Sequence, residues 1–333
     1  MTTPLASLSR RDFLAGAASL LTAPKLHAAE ELRFAHAYGE TVLAAPARRV
    51  VSLGYTTQDS LLALGIVPQA IRYWYGDHPY GVWPWAQPLL GDGQPMLMTG
   101  EVSIETVASL APDLIVGIGS GISEAEYALL SQIAPVLMQA PEFTTYGMPW
   151  DAELRMLARA TGTSERAEAL VADLRGRFGA LRARHPDWQG QSAVCAWHEG
   201  GQTSAFLGGD SRAQVLREMG FRLPEALAQM QGVDDFYTAL SPEDLSPIDA
   251  DLLLWISAGG QADDLAALAM RRTLRANAEG REAFCDALLS GALSFGSVLS
   301  VPYALKRLEP EIAAAVDGDP ATVVPSASEA GLL

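Results

Sequence analysis

The stretch Ser103–Ile118, SIETVASLAPDLIVGI, decides the fold because it joins a helix directly to a buried strand. Ser103 to Ala111 has helical spacing, and Asp113 to Ile118 is a nearly uninterrupted apolar run. Apolar strands that alternate with helices indicate a parallel sheet covered on both faces. The stretch therefore predicts an α/β protein.

The same alternation extends toward the amino terminus. The pattern predicts strands at Arg49–Leu53 and Gln69–Tyr73, with a helix at Asp59–Leu64 between them that ends at Gly65. These elements and the opening stretch make up a first lobe.

The second half of the chain repeats the motif. Ser241–Leu252, SPEDLSPIDADL, aligns with Ser103–Leu114 at an offset of 138 residues (241 − 103), and Ser, Glu, Asp and the final Leu coincide. We predict a second helix beginning at Ser241, and a duplicated lobe explains the repeat. Further elements of this lobe are strands at Ser192–Trp197 and Asp251–Ser257 and a helix, capped by Ser211, at Ser211–Met219.

A long helical segment separates the halves. Residues 150–185 have helical periodicity with a break at Thr161-Gly162-Thr163, and residues 164–185 would form a rod about 33 Å long. The sequence thus predicts two Rossmann-like lobes with parallel sheets, joined by a long rigid α-helix, with a ligand cleft between them. The expected boundaries are 30–149 for the first lobe, 150–185 for the linker, 186–316 for the second lobe and 317–333 for a loose tail.

The first 29 residues have the order of an export signal. Ser9-Arg10-Arg11-Asp12-Phe13-Leu14 precedes a short apolar stretch and small residues that end at Ala28-Ala29. The paired arginines resemble the twin-arginine export signal, and the alternative is a fortuitous Arg-Arg before a buried helix. We expect export by the twin-arginine translocase to the periplasm.

Composition excludes several classes of protein. Of 333 residues, 49% are apolar, and 23 Lys and Arg oppose 39 Asp and Glu, giving a formal charge of −16 that repels nucleic acid and anionic lipid. The chain has two cysteines, Cys195 and Cys285, which could pair or remain separate buried thiols. We expect a monomer without a membrane span.

Catalytic and metal-binding patterns are weak. Mature-chain histidines have no metal-ligand spacing, and Gly209-Asp210-Ser211-Arg212-Ala213 lacks the closing glycine of a nucleophile elbow. The loop Gly117–Gly121 has Ile122 where a dinucleotide site would favour glycine. We therefore expect no catalytic residue, no metal ligand and no cofactor.

Aromatic residues carry the strongest functional signal. Six of the thirteen residues from Tyr73 to Trp85 are Tyr or Trp, interleaved with Gly and Pro, and Trp197 and Trp255 lie near strand ends where open sheets bind ligands. We predict that an amphipathic ligand contacts Tyr55, Trp74, Tyr75, Trp197 and Trp255. For Trp83 and Trp85 we favour packing of a loop onto its lobe.

Several of these motifs occur in one known family. Arg49–Leu53 through Gly65, Ser103–Ile115, Leu130–Pro135 and Leu299–Leu305 resemble the iron-siderophore substrate-binding proteins of ABC importers, in order and spacing. The resemblance implies that a ferric siderophore is captured between the lobes, with small closure motions, and delivered without catalysis to an ABC permease and its ATPase.

The resemblance also suggests where the ligand and the permease bind. It adds Ser120, in a loop where relatives often carry a ligand-facing tyrosine, while Arg72 and Arg212 supply local positive charge. No arginine occurs in Thr99–Glu101, where a hydroxamate-binding relative has one, so hydroxamate, catecholate and carboxylate ligands remain open. Glu105 and Glu243 match the glutamates that related carriers present to permease arginines, and a helix-dipole role is the alternative.

Two other functions remain open. A carrier for haem, corrinoid or another metal chelate could use His78 or Tyr80 as an axial ligand. An oxidoreductase or hydrolase could be built on the same α/β scaffold.

Overall fold

The computed structural model describes residues 31–333, and the expected signal at 1–29 lies outside them. An antiparallel hairpin that the sequence patterns did not predict opens this part of the chain. It pairs β1 (Leu32–His36) with β2 (Gly39–Leu43), and Gly39 adopts a φ of 128° at the turn. Phe34 and Leu43 are buried and fix the hairpin to the core.

The first half contains a five-stranded sheet in the order β5-β4-β3-β6-β7, all of it parallel. Its strands are β3 (Val50–Ser52), β4 (Ala70–Arg72), β5 (Met96–Met98), β6 (Leu114–Val116) and β7 (Val136–Leu137). Its helices are α1 (Thr57–Ala63), α2 (Ile104–Ser109) and α3 (Glu124–Leu130). Ser103 caps α2 by accepting the Thr106 N–H, as serine does at many helix starts.

Two helices connect the halves. They are α4 (Trp150–Thr161) and α5 (Ser164–Arg184), and the predicted break between them is confirmed. Gly162 ends α4 with a φ of 70°, a left-handed conformation that glycine adopts without strain. One stripe of α5, including Val171, Leu174 and Phe178, is buried against the core.

The second half has a mixed sheet in the order β10-β9-β8-β11-β12. Its strands are β8 (Ala193–Glu199), β9 (Gln202–Phe206), β10 (Tyr237–Ala239), β11 (Leu252–Ile256) and β12 (Glu282–Cys285). Strands β8 and β11 are parallel as predicted, and β12, which the sequence patterns did not predict, is parallel to β11. Strands β9 and β10 are antiparallel. The chain reverses after β8 because Gly200 and Gly201 both adopt positive φ angles and form a tight turn.

Seven helices accompany this sheet within the described residues. They are α6 (Ser211–Met219), α7 (Glu225–Ala228), α8 (Asp263–Ala267), α9 (Arg275–Ala278), α10 (Ala287–Phe295), α11 (Ser300–Ala315) and α12 (Pro325–Glu329). The cap of α6 is Asp210, whose side chain accepts the Arg212 N–H, and not Ser211 as predicted.

The second repeated helix is absent. Ser241 and Asp244 form a bridged turn, followed by one 3₁₀ turn at Ser246–Ile248. Pro247 removes a backbone donor, and the Asp244 carboxylate accepts the Ser246 N–H, so a turn replaces the helix. The repeat does hold for the strands, because Leu114 and Leu252 each begin one.

The carboxyl-terminal segment is packed and is not the loose tail that we predicted. Val324, Ala327 and Leu332 are buried, and the Leu332 carbonyl accepts a 2.9 Å hydrogen bond from Arg271 Nη1. Ser326 Oγ also accepts the N–H of Phe284 on β12. Buried apolar side chains therefore anchor a segment whose composition predicted a loop.

The two cysteines are separate buried thiols. Cys195 lies on β8 and Cys285 on β12, with β11 between them. Two strand spacings place them about 9.6 Å apart or more, beyond the separation that a disulfide spans. Among the described helices, none combines the length and hydropathy that a membrane span requires.

Candidate ligand-binding site

Two adjoining cavities lie where strands of both sheets end, and both halves of the chain line them. The first, which we call the aromatic cavity, has a volume of about 300 Å³, and the second, the polar cavity, about 560 Å³. Trp74, in the loop after β4, and Ser294, on α10, line both. The predicted ligand cleft between two lobes is therefore present in the fold.

The aromatic cavity takes its name from seven ring-bearing residues. These are Tyr55, Trp74, Tyr146, Trp150, Phe236, Tyr237 and Phe295. Their ring centroids are 5.8 Å apart for Tyr55 and Trp74 and 5.9 Å apart for Trp74 and Phe295. Such spacings allow tilted aromatic contacts, so the rings support one another as a rigid apolar surface for a ligand.

The polar cavity is formed mainly by the second half. Trp197 and His198 come from the end of β8, and residues 256–264 follow β11. The Trp197 ring packs 4.5 Å from that of Phe206, while Tyr75 enters from the first half. Acidic side chains of Glu199, Asp263 and Asp264 also line this cavity.

Arg212 reaches the polar cavity but is strongly held. Only 5% of the residue is exposed, and Nη1 donates to Asp210 Oδ2 at 2.8 Å. Its guanidinium lies 3.9 Å from the Phe206 ring centroid and also donates to Ser294 Oγ. Burial raises the pKa of Asp210, and the Arg212 charge lowers it, so each charge is partly compensated by the other.

Arg72 and Ser120 lie behind the aromatic cavity. Arg72 Nη1 donates to the Ser120 carbonyl at 2.9 Å, and its guanidinium is 4.7 Å from the Tyr55 ring centroid. The Ser120 side chain is buried and donates to the Gly117 carbonyl at 2.6 Å. Ser120 was predicted to contact the ligand, but it lines neither cavity and its hydroxyl closes its own turn. Arg72 orients Tyr55 and lines neither cavity.

Trp255, which was predicted to contact the ligand, lines neither cavity. The residue has no exposed surface, and its Nε1 donates to Glu282 Oε1 at 2.7 Å. Glu282 is in turn paired with buried Arg271 at 2.5 Å. Trp255 points into the core, and the residues that follow it, Ile256 and Ser257, line the cavity instead.

Five of the predicted ligand residues do border a cavity: Tyr55, Trp74, Tyr75, Trp197 and Arg212. Sequence analysis missed Tyr146, Trp150 and Glu153, which lie around the start of α4. The sequence signal that could have identified them is the group of aromatic residues just before the linker.

Trp83 is buried and its ring stacks 5.1 Å from that of Trp85, as the packing interpretation predicted.

Two carboxyl groups lie between the halves. Asp59 is fully buried on α1, and its Oδ2 accepts hydrogen bonds from Trp85 Nε1 at 2.7 Å and Ser297 Oγ at 2.6 Å. Glu153 lines the aromatic cavity, and its Oε1 accepts the Ser60 hydroxyl at 2.6 Å. Burial raises the pKa of each carboxyl to about 7.

Glu105 and Glu243 are both exposed but occupy different structures. Glu105 is the second residue of α2, and its carboxylate accepts the Ser103 hydroxyl at 3.3 Å. Glu243 lies in the bridged turn, where its N–H donates to Ser241 Oγ. The prediction that both occupy the second position of a helix is correct only for Glu105.

The residues considered as haem ligands are not among those that line the cavities. Neither His78 nor Tyr80 lines one; the His78 ring packs 4.4 Å from that of Trp83, and Tyr80 is exposed with a φ of 59°. Residues 31–333 contain no cluster of three or more His, Cys, Asp or Glu that could hold a metal ion.

Comparisons with known proteins place this geometry in a family. A periplasmic solute-binding protein from Mycobacterium smegmatis is 31% identical, with a TM-score of 0.74 and coverage of 86% of this chain and 99% of that one. PiaA from Streptococcus pneumoniae, in complex with ferrichrome, is 22% identical with a TM-score of 0.74 and coverage of 86% and 99%. Staphylococcus aureus SirA, complexed with staphyloferrin B, is 20% identical, with a TM-score of 0.68 and coverage of 87% and 99%.

No curated protein matched the sequence. The family model described as periplasmic binding protein matches residues 50–286, which is 237 of the 333 residues. Both this match and the structural similarity agree with the family predicted from the sequence motifs. The chain therefore belongs to the periplasmic binding protein family.

Proposed function

We propose that this protein captures a ferric siderophore and delivers it to an ABC permease and its ATPase for iron uptake. The observation that carries the proposal is the pair of aromatic-lined cavities between the two halves. Their volumes, about 300 and 560 Å³, are in the range of pockets that enclose ligands of several hundred daltons. The PiaA and SirA structures, which have the same fold, hold ferrichrome and staphyloferrin B.

The environment of the candidate nucleophiles supports a carrier without catalysis or a resident cofactor. Ser211 Oγ donates to the Leu293 and Ser294 carbonyls, and no histidine or carboxylate among residues 31–333 is hydrogen-bonded to it as a base would be. His198 Nδ1 forms a 2.8 Å hydrogen bond with Thr203 Oγ1. Burial raises the pKa of the Cys195 thiol far above its usual value, which disfavours the reactive thiolate.

Location and assembly are part of the same proposal. Residues 1–29 would direct the folded chain through the twin-arginine translocase to the periplasm, where it would act as a monomer. The proposed boundaries are 30–149, 150–185 and 186–316. Because the final segment packs on β12, residues 317–333 would belong to the second lobe.

Docking would use the exposed carboxylates of Glu105 and Glu243. Arginines of a two-fold permease could pair with one glutamate from each lobe. The different local structures of the two residues do not prevent this, because an exposed side chain on a turn can reach a partner as well as one on a helix.

Tryptophan fluorescence tests the ligand assignment. Ferric hydroxamate, catecholate and carboxylate complexes would be titrated beside their iron-free forms, and at least one ferric complex should quench emission saturably. Failure of all three classes would contradict the proposal. A strong Soret band on adding haem would instead support the alternative carrier of haem, corrinoid or another metal chelate.

A further inference from the structure

We propose that the ligand is a ferric siderophore with a positively charged amine arm, and that Glu153 binds this arm in the aromatic cavity. The inference rests on the proposed function and narrows it to one chemical class. It begins with the position of Glu153 on α4, one turn after Trp150. Residues at this spacing share a helix face, and both line the cavity.

The Glu153 carboxyl has room for a ligand donor. Its Oε1 accepts the Ser60 hydroxyl at 2.6 Å, and nothing among residues 31–333 donates to its Oε2. The neighbouring Asp59 is itself acidic and bonds to Trp85 and Ser297, so it supplies no positive charge. Burial without a cationic partner is what raises the pKa of Glu153 to about 7.

The charges around the cavity favour a cation over an anion. The part of its lining that residues 31–333 supply includes the acids Glu153 and Asp234 but no Lys, Arg or His. Arg72 lies behind Tyr55 and outside both linings, where it donates to the Ser120 carbonyl, and Arg212 in the polar cavity is paired with buried Asp210. The polar cavity adds Glu199, Asp263 and Asp264. A highly anionic complex would therefore meet several carboxylates, while Arg212, the one Lys or Arg that residues 31–333 contribute to the lining, is already paired with Asp210.

Aromatic rings strengthen the same preference. An ammonium group bound at Glu153 would share its cavity with the rings of Tyr55, Trp74 and Trp150, and the faces of aromatic rings attract cations. Its methylene stem would contact the apolar surface of these rings, as the stems of lysine side chains do in proteins. A carboxylate in a cavity lined by aromatic rings is thus complementary to an aliphatic amine.

Two matched probes test the proposal on the mature chain. One is a linear ferric trihydroxamate with a free terminal ammonium, and the other is the same complex with that amine acetylated. The wild-type protein should bind the ammonium form at least about tenfold more tightly. Glu153→Gln keeps the side-chain shape and an oxygen that can accept from Ser60, and should reduce the preference to about twofold or less. Glu165→Gln removes an exposed charge on α5 and should retain the full preference.

The outcomes separate this inference from the proposed function. Equal wild-type affinity for the two probes, or tighter binding of an anionic ferric catecholate, would overturn the amine assignment while leaving a siderophore carrier. A preference that persists in Glu153→Gln would overturn the role of Glu153. No binding of either probe, ferrichrome, or a ferric catecholate or carboxylate would overturn both. The comparison of the two probes on the wild-type protein does not depend on whether any variant folds.

Discussion

Asp59 accepts a 2.6 Å hydrogen bond from Ser297 Oγ, joining α1 of the first half to the loop between α10 and α11, 238 residues later. Trp85 Nε1 donates to the same carboxylate oxygen at 2.7 Å. No residue of the described chain bonds to Asp59 Oδ1, which is buried. This carboxyl therefore connects the two halves in an environment that disfavours its charged form.

The first prediction concerns the pH dependence of this contact. Burial raises the folded-state pKa of Asp59 from 3.8 to about 7, so the folded protein binds the proton more tightly than the unfolded chain. The stabilising contribution is present at low pH and is lost as pH rises through about 7. Asp59→Asn cannot ionise, and we expect its free energy of unfolding to rise relative to wild type between about pH 5 and pH 8. Urea unfolding at several pH values measures this, and a constant difference would contradict it.

The second prediction distinguishes two tryptophans at neighbouring strands. Trp197 borders the polar cavity, whereas Trp255 is fully buried. Trp197→Ala should weaken ligand binding by about 1–3 kcal/mol and should destabilise the fold less than Trp255→Ala, because Trp197 is only partly buried. Trp255→Ala should lower the free energy of unfolding by about 3–5 kcal/mol, because it leaves a core cavity and removes the indole donor to Glu282. Titration and thermal unfolding of both variants check the assignment, and the reverse pattern would contradict it.

This contrast shows what could be predicted from the sequence. The repeat correctly located the strands beginning at Leu114 and Leu252, because a continuous apolar run is a local property. It could not tell which face Trp255 occupies, since both faces of such a sheet are buried and no polar alternation marks the core side. Only two of the seven rings of the aromatic cavity, Tyr55 and Trp74, were predicted, because residues such as Tyr146 and Trp150 come to line it through long-range packing.

The third prediction concerns the close approach of Gly291 and Trp83. A Cβ atom on Gly291 would lie 2.3 Å from Trp83 Cζ3, which is shorter than any van der Waals contact. The Trp83 ring is buried among other side chains and has little room to move away. Gly291→Ala should therefore lower the free energy of unfolding by about 1–3 kcal/mol even though alanine favours helices. Gly176→Ala is the matched control, since nothing lies within 4 Å of its Cβ, and it should stabilise by about 0.5–1 kcal/mol. Equal stabilisation of both variants in denaturant unfolding would exclude the steric contact.

The last prediction concerns delivery to the permease. Glu105 and Glu243 are exposed and line neither cavity, so replacing both with Ala should leave ligand affinity nearly unchanged. Glu105 interacts with the positive end of the short helix α2, which is worth at most about 1 kcal/mol and predicts only a small loss of stability. If the two carboxylates pair with permease arginines, the double variant should abolish uptake of the labelled ferric complex by cells, and Lys at both positions should be worse through repulsion. Exposed Glu165 and Glu225, replaced together with Ala, provide the control for the loss of two charges. Normal uptake with the Glu105 and Glu243 double variant would leave Glu105 as a helix-start acid and Glu243 as a turn residue.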